Sequence, residues 1–544
     1  MKRTRRILAP AFLVVTLLWV YGSTLAPGLT WMHNGADGGD LITATATGGV
    51  PHPTGYPLYL LLAGFFQRLP IGPLAFRTNL LSALAMTGAA LLVYFIVEKY
   101  VDSSANKAHV VARRRSPGEA TPSTGQRLLR GGPRKNIGAG ERLAFGVLRD
   151  PRRDSTALLL RMSQYLSSAD RWVSAFAGLT AAFSFALAPL TWGQAVITEV
   201  YALHALFVAA ILYLSSGLAT RLSAPGLDRV TGLTLGLALG NHVTSIFLLP
   251  LVLLWKRDWA ALWRRLSFIA LGLLTYLIIP IRAASAPPVN WGGASTWTGF
   301  LWLVSGRLYQ DELLSPTLPA LWERLQTSAS LFLAQFGVPG LILGFAGLVL
   351  FFSRSRLHWG ALWIVAAFSA FSVAYSTRDA QVYLLAAFLC FAVWIGVAVG
   401  NLMQKWPPGR AWIAVLLTAY VILSSAQTWP RVDLSRDTQA EQYARSLLAQ
   451  TPQGAILFTR GDEAVFSLWY VHFALHERPD VAVVAADLLH FGWYQETLRA
   501  AYPALAVPGP LPFDETVRLA NPSRPACYVQ YPQESDIQCI EPVP

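Results

Sequence analysis

The sequence predicts an α-helical polytopic membrane protein with a small soluble α/β domain at its carboxyl end, and three observations carry that prediction. First, 54% of the 544 residues are hydrophobic and only 13% are charged, against roughly a quarter charged in an ordinary soluble protein. Second, mostly apolar runs recur at the length of about 18 residues or more that crosses a hydrocarbon core of about 30 Å. Ile7 to Pro27, Asn79 to Val97, Leu331 to Phe352 and Trp412 to Ala426 are examples. Third, the chain changes character from about residue 430, where Ala455 to Thr459 and Val481 to Ala485 read as buried strands, each followed by an aromatic-rich helical pattern.

The net charge of +13 is concentrated rather than spread. Lys2, Arg3, Arg5 and Arg6 stand before the first apolar run, and residues 101–170 hold thirteen Lys and Arg against six Asp and Glu. Eleven of the thirteen excess charges therefore flank early spans, which is the positive-inside pattern and not a phosphate-binding face. Nucleic acid is excluded as a partner on that ground.

With the amino terminus cytoplasmic, the first helix delivers residues 28–78 to the outer face, and Asn79 to Val97 returns the chain to a basic cytoplasmic loop at 101–170. A short amphipathic piece is expected within that loop near Leu158 to Leu166. The length of the first apolar segment and its lack of a small-residue cleavage site favour a retained helix over a signal peptide. Further spans are expected at about 172–190, 197–217, 266–283, 328–352, 359–376, 381–400 and 411–428. Residues 230–255 read as two short segments hinged near Gly240, Asn241 and His242, because one helix would carry Lys256, Arg257, Arg264 and Arg265 outside. The result is about eleven crossings, a transmembrane domain over 1–429 and an extracytoplasmic domain over 430–544. That domain has no Gly-rich phosphate loop, so no nucleotide is assigned to it. Its two cysteines, Cys527 and Cys539, would be free to pair outside the cytoplasm, though spacing alone does not show it. With Cys390 they form no metal-ligand spacing.

The chemistry concentrates in the loop after the first helix, which holds His33, Asp37-Gly38-Gly39-Asp40 and His52-Pro53-Thr54-Gly55-Tyr56-Pro57. Asp37 and Asp40 are three apart and Leu41 to Thr47 is compatible with a helix, so Asp37 is placed to cap it and Asp40 to lie on its first turn. The same pair at a membrane surface is placed to act as a general base. Two carboxylates are too few to propose a metal, so none is assigned and a divalent ion is left open.

The loop resembles a large family of polytopic membrane proteins, formerly of unknown function, that is related to protein O-mannosyltransferases. That family has an Asp-Ser-Gly-Glu-type segment, a His-Pro-Pro-Gly-Tyr-Pro-Leu-Tyr-type segment and an Arg-x-Asn-Leu-Leu-Ser-Ala run. Here they read Asp37-Gly38-Gly39-Asp40, His52 to Tyr59, and Arg77-Thr78-Asn79 to Ala83, with Asp40 in place of the Glu and Thr54 in place of the second Pro. The first departure leaves open which carboxylate is the base. Matching segments continue at Val196 to His204, Gly236 to His242, Pro280 to Ala283, Asn290-Trp291-Gly292 and Tyr375 to Asp379. In the tail, Arg460-Gly461-Asp462, Trp469-Tyr470, Arg478 to Asp480 and Trp493-Tyr494 match too.

The resemblance implies the GT-C architecture and transfer of a sugar, with mannose the family's example, from a polyprenyl-phosphate carrier to a hydroxyl acceptor on the extracytoplasmic face. It implies Asp37 or Asp40 as catalytic base in an inverting reaction, with His52 and Arg282 near the donor phosphate, Arg being suited to bond two phosphate oxygens. Tyr56, Glu199, His242, Asn290, Trp291, Arg378 and Asp379 are further substrate-binding candidates. Each has a plainer reading beside the functional one. Arg282 is placed to snorkel, His52 to sit in a capped turn, Glu199 to pair with Arg282 or Arg378, and His242 to satisfy backbone freed at the helix break. Arg378 and Asp379 read as an exposed ion pair, Trp291, Trp297 and Trp302 as an interfacial belt, and the tail aromatics as core. The implied partners are a membrane lipid donor and a protein, lipid or glycan acceptor. Two rival functions stand beside this one: a lipid or sugar transporter or flippase, and a non-enzymatic receptor or scaffold. Oligomeric state is not legible.

Overall fold

The computed structural model describes residues 5–115, 171–254, 258–350, 355–509, 512–529 and 537–542. The amphipathic piece expected near Leu158 to Leu166 lies outside the described residues. Helix α1 (Arg5–Thr24) leads into the acidic loop, which folds two short helices, α2 (Gly38–Ala46) and α3 (Pro57–Gln67), before α4 (Leu74–Arg115). Helices α5 (Arg171–Ala186) and α6 (Pro189–Ala195) are bent by 74°, with Pro189 opening α6 where a missing N–H costs nothing. There follow α7 (Tyr201–Ser215), α8 (Ala224–Asn241), α9 (Trp259–Ala283), α10 (Trp297–Val304), α11 (Leu318–Leu350), α12 (Arg356–Ala374), α13 (Leu385–Lys405) and α14 (Arg410–Val432).

Among the described residues, seven helices are long and apolar enough to cross a bilayer, or eight if α5 and α6 form one span, where hydropathy predicts eleven crossings. The difference falls on three segments. Helix α7 has 15 residues, α8 carries Asp228 and Arg229 in its first turns, and Val243–Leu253 is a short apolar helix. The break between the last two lies where the sequence puts the hinge: α8 ends at Asn241, His242 is extended, and its side chain accepts a hydrogen bond from the Thr244 N–H. Helix α13 is the axis of the bundle, its span window being wholly buried against α4, α11 and α12.

After α14 the chain forms a four-stranded sheet of order β2-β1-β3-β4, from β1 (Ile456–Thr459), β2 (Ala482–Ala485), β3 (Ala526–Val529) and β4 (Ile537–Ile540). The β1 pairings are parallel and β3 with β4 is antiparallel. Both residues of every pair in β1 and β2 are buried, which is why those strands read as apolar runs. Strands β3 and β4 escape the pattern because β4 is largely exposed. Cys527 and Cys539 face each other across that edge pair and are joined by a disulfide. Helices α15 (Gln439–Gln450), α16 (Asp462–Trp469), α17 (Gly492–Ala501) and α18 (Asp514–Ala520) cover the sheet. Trp469, Tyr470 and Tyr494 are core, at 1–2% exposure.

This sheet domain is packed onto the acidic loop. Helix α2 lies against α16, and a Cβ at Gly39 would stand 2.4 Å from the Phe466 carbonyl oxygen. The Trp31 indole N–H reaches Ser467 Oγ at 2.8 Å, and the Leu29 N–H reaches Glu441 Oε1 at 3.0 Å. Gly39→Ala is therefore expected to cost about 1–3 kcal/mol by overpacking against backbone. The measurement is limited proteolysis of the 430–544 region together with thermal unfolding; an unchanged melt and cleavage pattern would refute the close contact.

Candidate active site

Asp37 occupies the residue before α2, but its side chain makes no capping hydrogen bond, so the carboxylate is not spent on the helix. The two glycines after it explain how α2 enters so tight a space. Gly38 rests on Thr198, whose carbonyl a Cβ would meet at 3.2 Å, and Gly39 rests on Phe466. One turn on, Asp40 has no exposed surface.

Every oxygen of Asp40 is answered. Its Oδ2 accepts from the His52 backbone N–H at 2.8 Å and from His52 Nδ1–H at 2.7 Å, and its Oδ1 accepts from the Trp291 indole N–H at 3.1 Å. Trp291, at 3% exposure, is thus no belt residue: its N–H is held inside the protein by a carboxylate. The turn that returns His52 to Asp40 needs Gly55 at φ 83° and Tyr56 at φ 41°, and Gly55 has Leu303 and Ile279 against the place a Cβ would take. A bulky residue in the left-handed region is uncommon and marks a conformation imposed by its surroundings. A parallel bridge between Val50 and Asn290 ties this turn to the segment bearing Trp291.

The Tyr56 hydroxyl donates to the Pro53 carbonyl at 3.0 Å, so its oxygen accepts from His52 Nε2–H at 3.1 Å. Both ring nitrogens of His52 therefore carry protons, and Nε2 also faces Asp37 Oδ2 at 3.5 Å. Burial works against the His52 cation, but Asp37 and Asp40 flank it and carry its pKa up to about 9. Asp37 is the open member of the set, its side chain 33% exposed against 0% for Asp40. Burial of the remainder pushes its carboxyl up to about 7, opposed by the His52 charge and reinforced by Asp462, Asp379 and Asp40. A carboxylate that is part-ionised at neutrality and poised to take a proton is what base catalysis asks for.

The other candidates divide. Tyr56, Glu199 and Asp379 lie within electrostatic reach of Asp37, and His242 adjoins Tyr56. The His242 ring lies 5.9 Å from that of Tyr56 and 5.7 Å from that of Tyr201, and the Tyr201 hydroxyl donates to Asp379 at 2.8 Å. Glu199 is paired with neither Arg282 nor Arg378; its Oε1 has no hydrogen-bond partner among the described residues. Nor do Arg378 and Asp379 form an ion pair among the described residues: Arg378 is exposed while Asp379 turns to Tyr201. Arg282 neither snorkels nor joins the carboxylates. Its Nη1 donates to the Ala44 and Gly49 carbonyls, both at 3.2 Å, capping the opposite end of α2 as cations do at helix C-termini. Asn290 is a backbone clamp, its Nδ2 donating to the Ala283 carbonyl at 3.3 Å. Among the described residues no group of three or more His, Cys, Asp or Glu is disposed to hold a metal ion.

Residues that sequence reasoning did not single out complete the site. Asp462, at the start of α16, is within electrostatic reach of Asp37 and His52, and the Phe466 ring stacks on His52 at 6.3 Å and 17°. The signal for Asp462 was its place just past the carboxyl end of a buried strand, where α/β domains present ligand-binding groups. Tyr201 and Tyr383, 5.6 Å apart, add an aromatic wall.

Comparison with known proteins follows the same residues. A family model described as the N-terminal domain of protein O-mannosyl-transferase TMEM260 matches residues 37–122 and 155–259, beginning at Asp37 itself. A second, TMEM260-associated domain 2, matches 440–536, and the two together take in more than half of the chain. The chain belongs to this O-mannosyltransferase-related family. Members similar to it include the protein O-mannosyl-transferase TMEM260 of Mus musculus, 24% identical over 87% of this chain and 62% of the relative. That of Dictyostelium discoideum is 20% identical over 91% and 59%. The chain thus spans about three fifths of the length of the curated relatives it matches. Among solved structures, ArnT from Cupriavidus metallidurans bound to undecaprenyl phosphate superimposes with a TM-score of 0.52 at 14% identity, over 95% of this chain and 92% of that one. The fold is the multi-pass GT-C type with a C-terminal sheet domain.

The two aspartates are expected to respond oppositely to amidation. Asp40→Asn places an NH2 against a donor whichever way the amide turns, and breaking such a buried pair costs about 3–5 kcal/mol. Asp37→Asn, at the open end, is expected to cost about 1 kcal/mol or less. Thermal unfolding of the two variants in the same detergent checks this, and equal melting temperatures would refute the division of roles.

Proposed function

We propose that the protein is a membrane glycosyltransferase that moves a sugar, mannose by its relatives' names, from a polyprenyl-phosphate carrier to a hydroxyl acceptor. One observation carries the reading: beside the mutually bonded Asp40–His52 pair stands a second carboxylate, Asp37, which is 33% exposed and meets His52 Nε2 only at 3.5 Å. Asp37 takes the acceptor's proton, the acceptor oxygen bonds to the anomeric carbon, and the bond from that carbon to the phosphate breaks, releasing the polyprenyl phosphate. Asp40 is not the base or nucleophile in this reading, because both of its oxygens accept hydrogen bonds from His52 and Trp291 and it has no exposed surface. With Asp37 acting as the base and no carboxylate bonding to the sugar, the displacement is direct and the sugar inverts.

In this reading the donor phosphate is met by Arg378, exposed and free of ion pairs among the described residues, and not by Arg282, which is occupied at the far end of α2. A fixed cation there stabilises the charge that grows on the leaving group. Support for a lipid-linked donor comes from a protein of the same fold that holds undecaprenyl phosphate. Support for an extracytoplasmic site comes from the basic flanks of the early spans and from the Cys527–Cys539 disulfide, a bond of oxidising compartments.

Transfer by the full chain in lipid nanodiscs, with labelled polyprenyl-phosphate sugars and mass analysis of products, tests the reading. Asp37→Asn is expected to lower kcat by about 100- to 10,000-fold. The rate should climb as pH rises through about 7, where Asp37 ionises, and fall above about 9, where the His52 cation is lost. Movement of labelled lipid into sealed vesicles without any covalent product would overturn it in favour of transport.

A further inference from the structure

The loop between α6 and α7 holds a carboxyl group that the chemistry above does not use. Glu199 retains 2% of its surface, and its Oε1 has no hydrogen-bond partner among the described residues. Buried polar groups in folded proteins are nearly always paired, so such an atom calls for an explanation. It lies within electrostatic reach of Asp37 and Asp379 and of the Tyr56 and Tyr201 hydroxyls.

Its neighbours are unsatisfied in a complementary way. The Thr244 N–H donates to His242 Nδ1 at 3.2 Å, so the His242 proton is on Nε2, which makes no hydrogen bond among the described residues and is not sealed from the surface. The Ser245 hydroxyl donates to the Ala238 carbonyl at 3.0 Å, so its oxygen accepts from His204 Nδ1–H at 3.2 Å, leaving His204 Nε2 an unpaired acceptor. Asn241 donates from Nδ2 to the Val200 carbonyl, while its Oδ1 is unpaired. All three residues are at least 96% buried, at 4%, 4% and 0% exposure. The rings of Tyr201, His204 and Tyr383 surround His242 at 5.6–5.7 Å. A donor and several acceptors without partners, set among aromatic faces, match the alternating hydroxyls and C–H faces of a sugar ring and match neither a lipid chain nor a phosphate.

We propose that this cluster is the subsite for the donor's sugar and that Glu199, hydrogen-bonded to one ring hydroxyl, determines which sugar is taken. The proposal rests on the glycosyl-transfer reading and deepens it by placing the sugar near Asp37. Burial, with Asp37 and Asp379 nearby, raises the Glu199 carboxyl well above the usual carboxylate range. A site that loses a hydroxyl it was built to bond leaves its own polar groups unpaired, and it discriminates for that reason.

The test is equilibrium binding of polyprenyl phosphate, with and without mannose attached, to the full chain in nanodiscs. The wild type is expected to bind the mannosyl lipid at least about tenfold more tightly than the bare lipid. Glu199→Ala should shrink that ratio below about threefold with bare-lipid affinity unchanged, while Glu199→Gln, which keeps a donor and an acceptor, retains most of it. If the alanine variant fails to fold, Glu199→Asp, with its carboxyl drawn back by one carbon, serves instead and should lose the ratio too. Equal binding of both lipids by the wild type, or a full ratio in both Glu199→Ala and Glu199→Asp, overturns the proposal. Sugar-dependent binding without transfer to any acceptor would sink the transferase reading and leave the subsite standing.

Discussion

A carboxylate with no exposed surface has to be neutralised atom by atom, and the way Asp40 is neutralised organises everything around it. Its three donors come from two segments, His52 on the turn before α3 and Trp291 on the segment after α9. Hydrogen bonds to a charged group each contribute about 1.5–3 kcal/mol, and removing one leaves a buried charge exposed to the full desolvation penalty. The acidic loop is therefore fixed in one conformation by electrostatics, and Asp37 is the group left facing outward. Rigidity in one aspartate is what gives the other a defined position.

The second constraint is steric. Helix α2 enters its slot with glycine against backbone on both sides, Thr198 from the membrane bundle and Phe466 from the sheet domain. Because that domain also supplies Asp462 beside His52 and the Phe466 ring stacked on it, it is a wall of the site and not an appendage. The Arg460 guanidinium, bonded to Asp487 and Asp514, holds the turn that leads into α16. The bundle and the tail thus meet at the loop where the chemistry is proposed.

What could be read from the sequence follows from the range of the forces involved. Lipid burial and local helix patterning act over a few turns, so the spans, the short helix after Asp37 and the break at His242 were legible. The strands β1 and β2 were legible because both faces are buried, whereas the largely exposed β4 lacks that signature. The roles of Asp37 and Asp40 were not separable, since two carboxylates three residues apart look alike until Trp291, 251 residues away, selects one of them. Arg282 misled for the same reason: its acceptors lie 233 and 238 residues earlier in the chain. Hydropathy placed Trp291 in a belt because it registers an indole's general preference and not a particular buried acceptor.

The distance along the chain between α2 and its far wall has a consequence for biosynthesis. Trp31 must wait 432 residues for the Glu463 carbonyl it bonds, and Gly39 waits nearly as long for Phe466. A ribosome that has already released every membrane helix still holds a protein whose reactive loop is bounded on one side only. The acidic loop gains its second wall only once α16 has emerged, after α14 has been made.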